Sequence, residues 1–291
     1  MNTAIGNIAP ARDAWTAFWA DSAQSHCVAG APGIQRALSA HWSSFATSLH
    51  PGCRVLDLGC GAGVVGSWML RARPDLHVTG IDMASIQRKL HPKLELLADT
   101  PMEDLPFTDQ RFGAVVSQFG FEYSRRGAAA REIARVLKSA GAMSLLVHHS
   151  ASPVLVSNRA RVAVLDAFLS TKMRAAFCGG DAEALGALLC TLLAQYDGDE
   201  LLAELARSLP PRLGLPAENR SAIWAAIEGA LAPEHCMAHA LADSCVSELR
   251  LDEWLEPLRE VCALMAVSVL REPNGNPLAW RIEASRASAR N

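Results

Sequence analysis

The chain contains no apolar run of about 18 residues, so no segment is suited to cross a bilayer as a helix. Residues Met1 to Asn7 carry neither a basic stretch nor an apolar one, so no secretion signal is read there and a cytoplasmic location is expected. Eight cysteines occur, yet none forms a C-x-x-C pair and none stands at finger-like spacing from histidine. Reduced thiols, mostly in the core, are therefore expected, with no metal site. A basic stripe is also missing, and the formal charge is −3, which argues against a nucleic-acid surface. Arg125 and Arg126 are the only adjacent arginines and read as part of a solvated loop. Beyond residue 150, strand patterning is absent for about a hundred residues.

What is present is concentrated between Arg54 and Gly66. A short apolar strand carrying Asp57 runs into a turn built on Gly59, Gly61 and Gly63, and the helix after it spans Val64 to Arg73. Glycine tolerates positive φ and has no Cβ, so such a turn lets backbone press against a ligand, with the N–H groups of the helix N-terminus facing the same loop. This is the first half of a βαβ nucleotide site. Gly61 to Gly66 also satisfies G-x-G-x-x-G, the dinucleotide pattern. Asp57, however, stands two residues before the first glycine, where a carboxylate would repel a diphosphate and favour a ligand that is cationic near the loop. The next strand ends at Asp82, about 20 residues past the loop, where a ribose-binding acid is expected.

Four ordered segments carry a resemblance. They are Val55-Leu-Asp-Leu-Gly-Cys-Gly-Ala-Gly63, Gly80-Ile-Asp82, Glu103-Asp-Leu-Pro-Phe107 with Phe112-Gly-Ala-Val-Val-Ser-Gln-Phe-Gly120, and Ala134-Arg-Val-Leu-Lys-Ser-Ala-Gly141. In that order they resemble the motifs of class I S-adenosylmethionine-dependent methyltransferases, closely over residues 50 to 150 and in outline beyond. S-adenosylmethionine has a sulfonium, an ammonium and no phosphate, in keeping with Asp57. The resemblance implies that Asp57, Gly59 and Gly61, with Gly63 in the same turn, hold the methionine end, that Asp82 with Met83 beside it binds the ribose, and that Met102 with a neighbouring acid contacts the adenine. Here Asp99-Thr-Pro-Met102 precedes the Glu-Asp-Leu-Pro-Phe run, where the family places an acid and a small residue, so the adenine acid is either Asp99 or Glu103. Gln118, ending a strand, is a further candidate cofactor contact.

Period and punctuation organise the rest. Residues 12–24, with Trp15, Phe18 and Trp19 at helical spacing, predict a first helix; Pro32-Gly33 reads as a break and Ile34–Leu49 as a second helix. In the family such helices lie over the cofactor, and packing of the tryptophans on the sheet is the alternative. From Arg54 to His149 strands and helices alternate: Arg54–Leu58, Val64–Arg73, Val78–Asp82, a short helix near Ile86, Leu94–Ala98, Ala114–Gln118, Ala128–Leu137 and Ala142–His148. Helices follow over Val154–Phe177, Asp181–Tyr196, Glu200–Leu209, Ala222–Leu231, Glu234–Val246 and Asp252–Leu264, with prolines between them. Ala266–Arg271 and Leu278–Ala284 flank an Asn/Gly-rich turn and read as a hairpin.

The fold class expected is α/β: a doubly wound Rossmann-like sheet, mostly parallel with a C-terminal antiparallel hairpin, plus a large helical insert. The domain division expected is 1–50 as a helical cap, 51–150 as the cofactor-binding core, 151–250 as an insert acting as substrate lid, and 251–291 as the last helix and closing hairpin. The insert is apolar, which suggests a small apolar or aromatic acceptor, with self-packing or a homodimer interface as the alternative. For an acceptor that must lose a proton, His148 and His149, Tyr123 and Glu122 are the candidate catalytic groups near strand C-termini. A packing role is the alternative for both histidines. The functional expectation is methyl transfer to oxygen, nitrogen or carbon of a small molecule. A non-catalytic cofactor binder or subunit partner is the alternative, and a nicotinamide-dependent oxidoreductase is less favoured.

Overall fold

A computed structural model describes residues 8–20 and 32–286. The chain divides into two compact units, one formed by residues 1–156 and 240–291 and the other by residues 157–239.

In the first unit, seven strands form one sheet: β1 (Arg54–Leu58), β2 (His77–Ile81), β3 (Glu95–Leu97), β4 (Phe112–Gln118), β5 (Leu137–His148), β6 (Cys262–Arg271) and β7 (Pro277–Arg286). Their order is β3-β2-β1-β4-β5-β7-β6. The first five strands run parallel, and β7 pairs antiparallel with both β5 and β6. The order reverses between β1 and β4, which opens the crevice where ligands settle in such sheets.

Two-residue alternation sorts each strand between two cores. Val55, Val78, Ala114, Val116 and Leu146 pack against α2 (Pro32–Ser48) and α3 (Val64–Ala72) through Leu38, Trp42, Met69 and Leu70. Leu56, Leu58, Val115, Leu145 and Val147 pack on the other face against α4 (Arg126–Val136) and α10 (Leu251–Arg259) through Ile133, Val136, Trp254 and Leu258. A strand buried on both sides has no polar face, which is why these segments are continuous apolar runs. α1 (Ile8–Ala20) covers the first part of the predicted N-terminal helix, and residues 21–24 of that helix lie outside the described residues.

Several boundaries differ from those expected. Pro32 and Gly33 open α2 instead of breaking the chain, because the fixed φ of proline suits a first helical turn. No helix forms near Ile86; that segment is irregular and is tied down by Leu90 N donating to Ala62 O (3.0 Å) and Ser85 N donating to Thr16 Oγ1 (3.1 Å). The helix expected over Asp252–Leu264 stops at Arg259, because pairing with β7 claims the chain from Cys262 onward. The hairpin turn is as expected, with Gly275 at φ 90°.

The second unit is all helical. The helix expected over Val154–Phe177 is two helices, α5 (Pro153–Phe168) and α6 (Thr171–Gly179), because Ser170 caps α6 by accepting from Met173 N. α7 (Ala182–Gln195) and α8 (Glu200–Ser208) are capped by Asp181 and Asp199 in the same way. Conversely, two helices expected around Pro233 are one, α9 (Ala217–Ser244). Two bonds from α5 tie down the helix just after the proline: Arg161 to Glu234 and Asn158 Nδ2 to Ala238 O (2.8 Å). This unit has its own core, in which Trp224 is fully buried and stacked on Phe168 at 5.4 Å. No helix among the described residues is long and apolar enough to cross a membrane.

Candidate cofactor-binding site

An open cleft of about 620 Å³ lies at the C-terminal ends of β1, β2 and β4, within the first unit. Its floor is the switch point itself. Gly59 has φ 64°, and a Cβ there would stand 3.1 Å from the Gly120 Cα, so the ends of β1 and β4 meet only because both residues lack side chains. Gly61, at φ 51°, is covered by the Trp19 ring, which a Cβ would meet at 2.2 Å.

The walls carry acids and apolar plates. Asp82 is 7 % exposed; its Oδ2 accepts from Gly61 N (2.8 Å) and its Oδ1 from Ala84 N (2.9 Å). Burial pushes its pKa upward, and these two N–H groups hold it back. Each oxygen keeps a lone pair for a ligand hydroxyl. Ile81, Met83 and Met102 supply apolar surface, and Glu103 stands at the rim with Oε1 accepting from Arg125 N (2.7 Å). Gln118 lines the cleft and accepts from Trp42 Nε1 (2.7 Å) through Oε1. That bond fixes the amide orientation and leaves the NH₂ group for the cleft. Trp15 and Trp19 of α1 line the cleft as well, with Trp15 edge-on to Tyr123 at 5.5 Å. No lysine, arginine or histidine lines it among the described residues.

Asp57 is not part of the lining. It lies beneath the glycine turn, fully buried, and neither carboxylate oxygen has a hydrogen-bond partner. Burial raises its pKa to about 8; the nearby Gly66 N–H offsets this in part, and Asp82 adds to it. At neutral pH the residue therefore holds a proton, and the charge argument against a diphosphate rests on Asp82, Glu103 and the missing basic lining instead. An orphaned acid beside the cleft remains suited to a cationic ligand group.

The other expected site residues separate. Gly59, Asp82, Met83, Met102, Glu103, Gln118 and Tyr123 share the cleft lining, whereas Gly61, Gly63 and Asp99 do not. Asp99 is engaged by Arg12 Nη2 (2.5 Å) and Ser85 Oγ (3.0 Å), so of the two acids flanking Met102, Glu103 faces the cleft. His148 is buried behind the lining and stacks at 4.0 Å on Phe119, a lining residue held at φ 56°. Glu122 Oε1 accepts from both His148 N (3.0 Å) and Nδ1 (2.8 Å). Because that oxygen already accepts a backbone N–H, the imidazole carries its proton on Nδ1 and keeps a lone pair on Nε2. His149 takes a structural place: its ring packs on Trp280 at 4.5 Å and its Nδ1 accepts from Ala151 N (3.1 Å). Phe119, Thr100 and Ser124 also line the cleft and had no distinguishing signal in sequence.

Residues 56–145, which hold all of the cleft except α1, match the family described as a methyltransferase domain. The chain carries a class I S-adenosylmethionine-dependent methyltransferase domain. S-adenosylmethionine is the cofactor of that domain, and the acids and basic-free lining described above fit its positive charge. A search of curated proteins returned no match. Among solved structures, the chain aligns with one from the complex between the Haloferax volcanii Trm112 methyltransferase activator and its methyltransferase partner, at 24% identity, covering 46% of this chain and 60% of that one (TM-score 0.36). The Burkholderia thailandensis 1,6-didemethyltoxoflavin-N1-methyltransferase, solved with 1,6-didemethyltoxoflavin and S-adenosylhomocysteine, aligns at 11% identity over 98% of this chain and 87% of that one (TM-score 0.47). The [4+2]-cyclase SpnF aligns at 16% identity over 98% and 96% (TM-score 0.44).

Proposed function

We propose that the protein transfers a methyl group from S-adenosylmethionine to a small-molecule acceptor and releases S-adenosylhomocysteine. The observation that carries this reading is the cleft at the β1/β4 switch point, where glycine backbone, a hydroxyl-binding acid and an acid-rich, base-free wall converge. When bound, the cofactor supplies an electrophilic methyl on sulfur, displaced in line by the acceptor. The chain's own residues bind, orient and exclude water. Asp82 holds the ribose hydroxyls, Met102 and Glu103 flank the adenine, and the Gln118 amide reaches toward the methionine end. The two α1 tryptophans shield the reacting atoms. Correct orientation is worth about 7–11 kcal/mol in well-positioned systems, so no side chain is obliged to bond to the acceptor.

For an acceptor that must lose a proton, the His148–Glu122 pair serves as the base: the carboxylate stabilises the imidazolium formed when Nε2 takes the proton. His149 has no part in this step. The choice of acceptor is assigned to the helical insert, residues 151–250, on the strength of its apolar composition. Incubation of the protein with methyl-labelled cofactor and a panel of phenols, amines and carbon acids tests the proposal. Label transfer to a small acceptor supports it. Tight cofactor binding with no transfer to any member would point instead to a non-catalytic binder or subunit partner.

A further inference from the structure

Asp166 on α5 and His235 and His239 on α9 bring three ligand atoms together, all within the helical unit and remote in sequence from every cleft residue. Asp166 Oδ1 lies 2.6 Å from His235 Nε2 and 2.8 Å from His239 Nε2, and the two imidazole nitrogens are 3.1 Å apart. The spacing of the histidines, four residues along one helix, puts both rings on the same face.

Protons alone cannot satisfy this triangle. Each of its three edges needs one hydrogen, a neutral imidazole offers a single N–H, and an ionised carboxylate offers none. If both histidines donate to Asp166 Oδ1, two N–H groups confront each other at 3.1 Å; if one does not, its lone pair faces the carboxylate oxygen. A cation at the centre satisfies all three atoms at once. Around a tetrahedral zinc with bonds of about 2.0–2.1 Å, ligand atoms stand roughly 3.3 Å apart, so the present atoms need to spread by about 0.2–0.7 Å, within the reach of small side-chain rotations. Two imidazoles and one carboxylate are the donor set of zinc and neighbouring divalent transition ions, whereas magnesium and calcium prefer oxygen alone.

The support around the cluster is also built. Arg161 of α5 grips Glu234 through two bonds, Nε to Oε1 (2.6 Å) and Nη2 to Oε2 (3.0 Å). Asn158 of α5 donates to Ala238 O (2.8 Å). The backbone of α9 is thus fixed to α5 immediately before His235 and immediately before His239. Side chains of the three residues are a third to a half exposed, so an ion can reach them.

We infer that the helical unit binds one zinc-class divalent cation through Asp166, His235 and His239, with the fourth coordination position open to water, and that the ion cross-links α5 to α9. Sequence alone gives little signal of the site, because Asp166 is 69 residues from His235 and the two histidines read as one face of a helix.

Zinc titration of the full chain against a chromogenic chelator, with cobalt substitution read by visible absorption, tests the inference. One ion should bind per chain, with a cobalt spectrum typical of nitrogen and oxygen ligands and no sulfur-to-metal charge transfer. His235→Asn, His239→Asn and Asp166→Asn should each weaken zinc binding by about a hundredfold or more, since loss of even an outer-shell partner costs about 10–100-fold. Cys236→Ser, which alters the thiol between the two histidines, should leave affinity unchanged. Wild-type protein that takes up no zinc at micromolar metal, or that shows thiolate bands lost in Cys236→Ser, would overturn the site. Zinc affinity undiminished from wild type in all three ligand variants would do so as well.

Discussion

Asp57 and Asp82 stand two strands' ends apart and face opposite demands. Asp82 faces the cleft, and two backbone N–H groups offset part of the upward push of burial on its pKa; replacing it by alanine should weaken cofactor binding by about 1.5–3 kcal/mol for each hydrogen bond to a charged acceptor that is lost. Asp57 is held protonated by burial, with a pKa of about 8 against an ordinary 3.8. The sign for stability follows. Below pH 3.8 both folded and unfolded chains carry the proton; above it the unfolded chain releases it and the folded chain does not, so stability declines from about pH 4 to 8. Asp57→Asn has no such decline, and its melting temperature should exceed that of wild type by more at pH 8 than at pH 4. A wild-type advantage that grew toward pH 8 would contradict the protonated state. Cofactor binding at pH 7 should release a proton from Asp57 as the cationic ligand approaches, read as buffer-dependent heat in calorimetry. At His148 the Glu122 bond predicts a paired loss: His148→Gln and Glu122→Gln should both lower kcat, about a hundred- to ten-thousand-fold for a removed base, with cofactor affinity nearly intact. Unchanged rates in both would return the pair to packing.

Among the elements, α1 is the one whose contribution to the site is least evident from its residues alone. Its tryptophans lie at helical spacing, a pattern equally consistent with packing on the sheet and with covering a ligand; only the structure puts Trp19 on the Gly61 backbone and Trp15 against Tyr123. Trp19→Ala should speed cofactor release in stopped-flow measurements while leaving the melting temperature close to wild type, because the ring covers the cleft and is absent from both sheet cores. A large fall in melting temperature with unchanged release would make it a packing residue instead. The sheet was legible because parallel strands buried on both faces must be apolar runs, and because Gly59 and Asp82 end their strands at fixed offsets. Helix breaks were less legible. Pro233 predicts a stop, yet α9 runs through it, with Arg161 and Asn158 of α5 bonded to the helix just after it. Asp252–Leu264 was read as a helix to its end, although strand pairing, a long-range effect that no local window contains, takes residues from Cys262. The Glu122–His148 bond was likewise invisible: both residues were candidates, but 26 positions separate them.

Across the whole molecule, the cleft and the helical core belong to different units. Every cleft residue belongs to the first unit, and the second has a separate core around Trp224 and Phe168. Both ends of the helical excursion are secured beside β5, where Val246 N donates to His148 O (3.0 Å) and Ser150 N donates to Val246 O (3.0 Å). Replacing residues 181–231 by a short polar linker should therefore leave cofactor binding measurable and abolish acceptor turnover. Loss of both together would mean that the first unit does not stand without the second. Whether the cleft at the β1/β4 switch point holds a cationic nucleoside through Asp82 is decided by calorimetry of the full chain with S-adenosylmethionine, S-adenosylhomocysteine and NAD. The first two should bind, NAD should give no appreciable heat, and Asp82→Ala should weaken binding by roughly tenfold or more. NAD binding without an S-adenosylmethionine signal, or an Asp82→Ala variant of undiminished affinity, would contradict it.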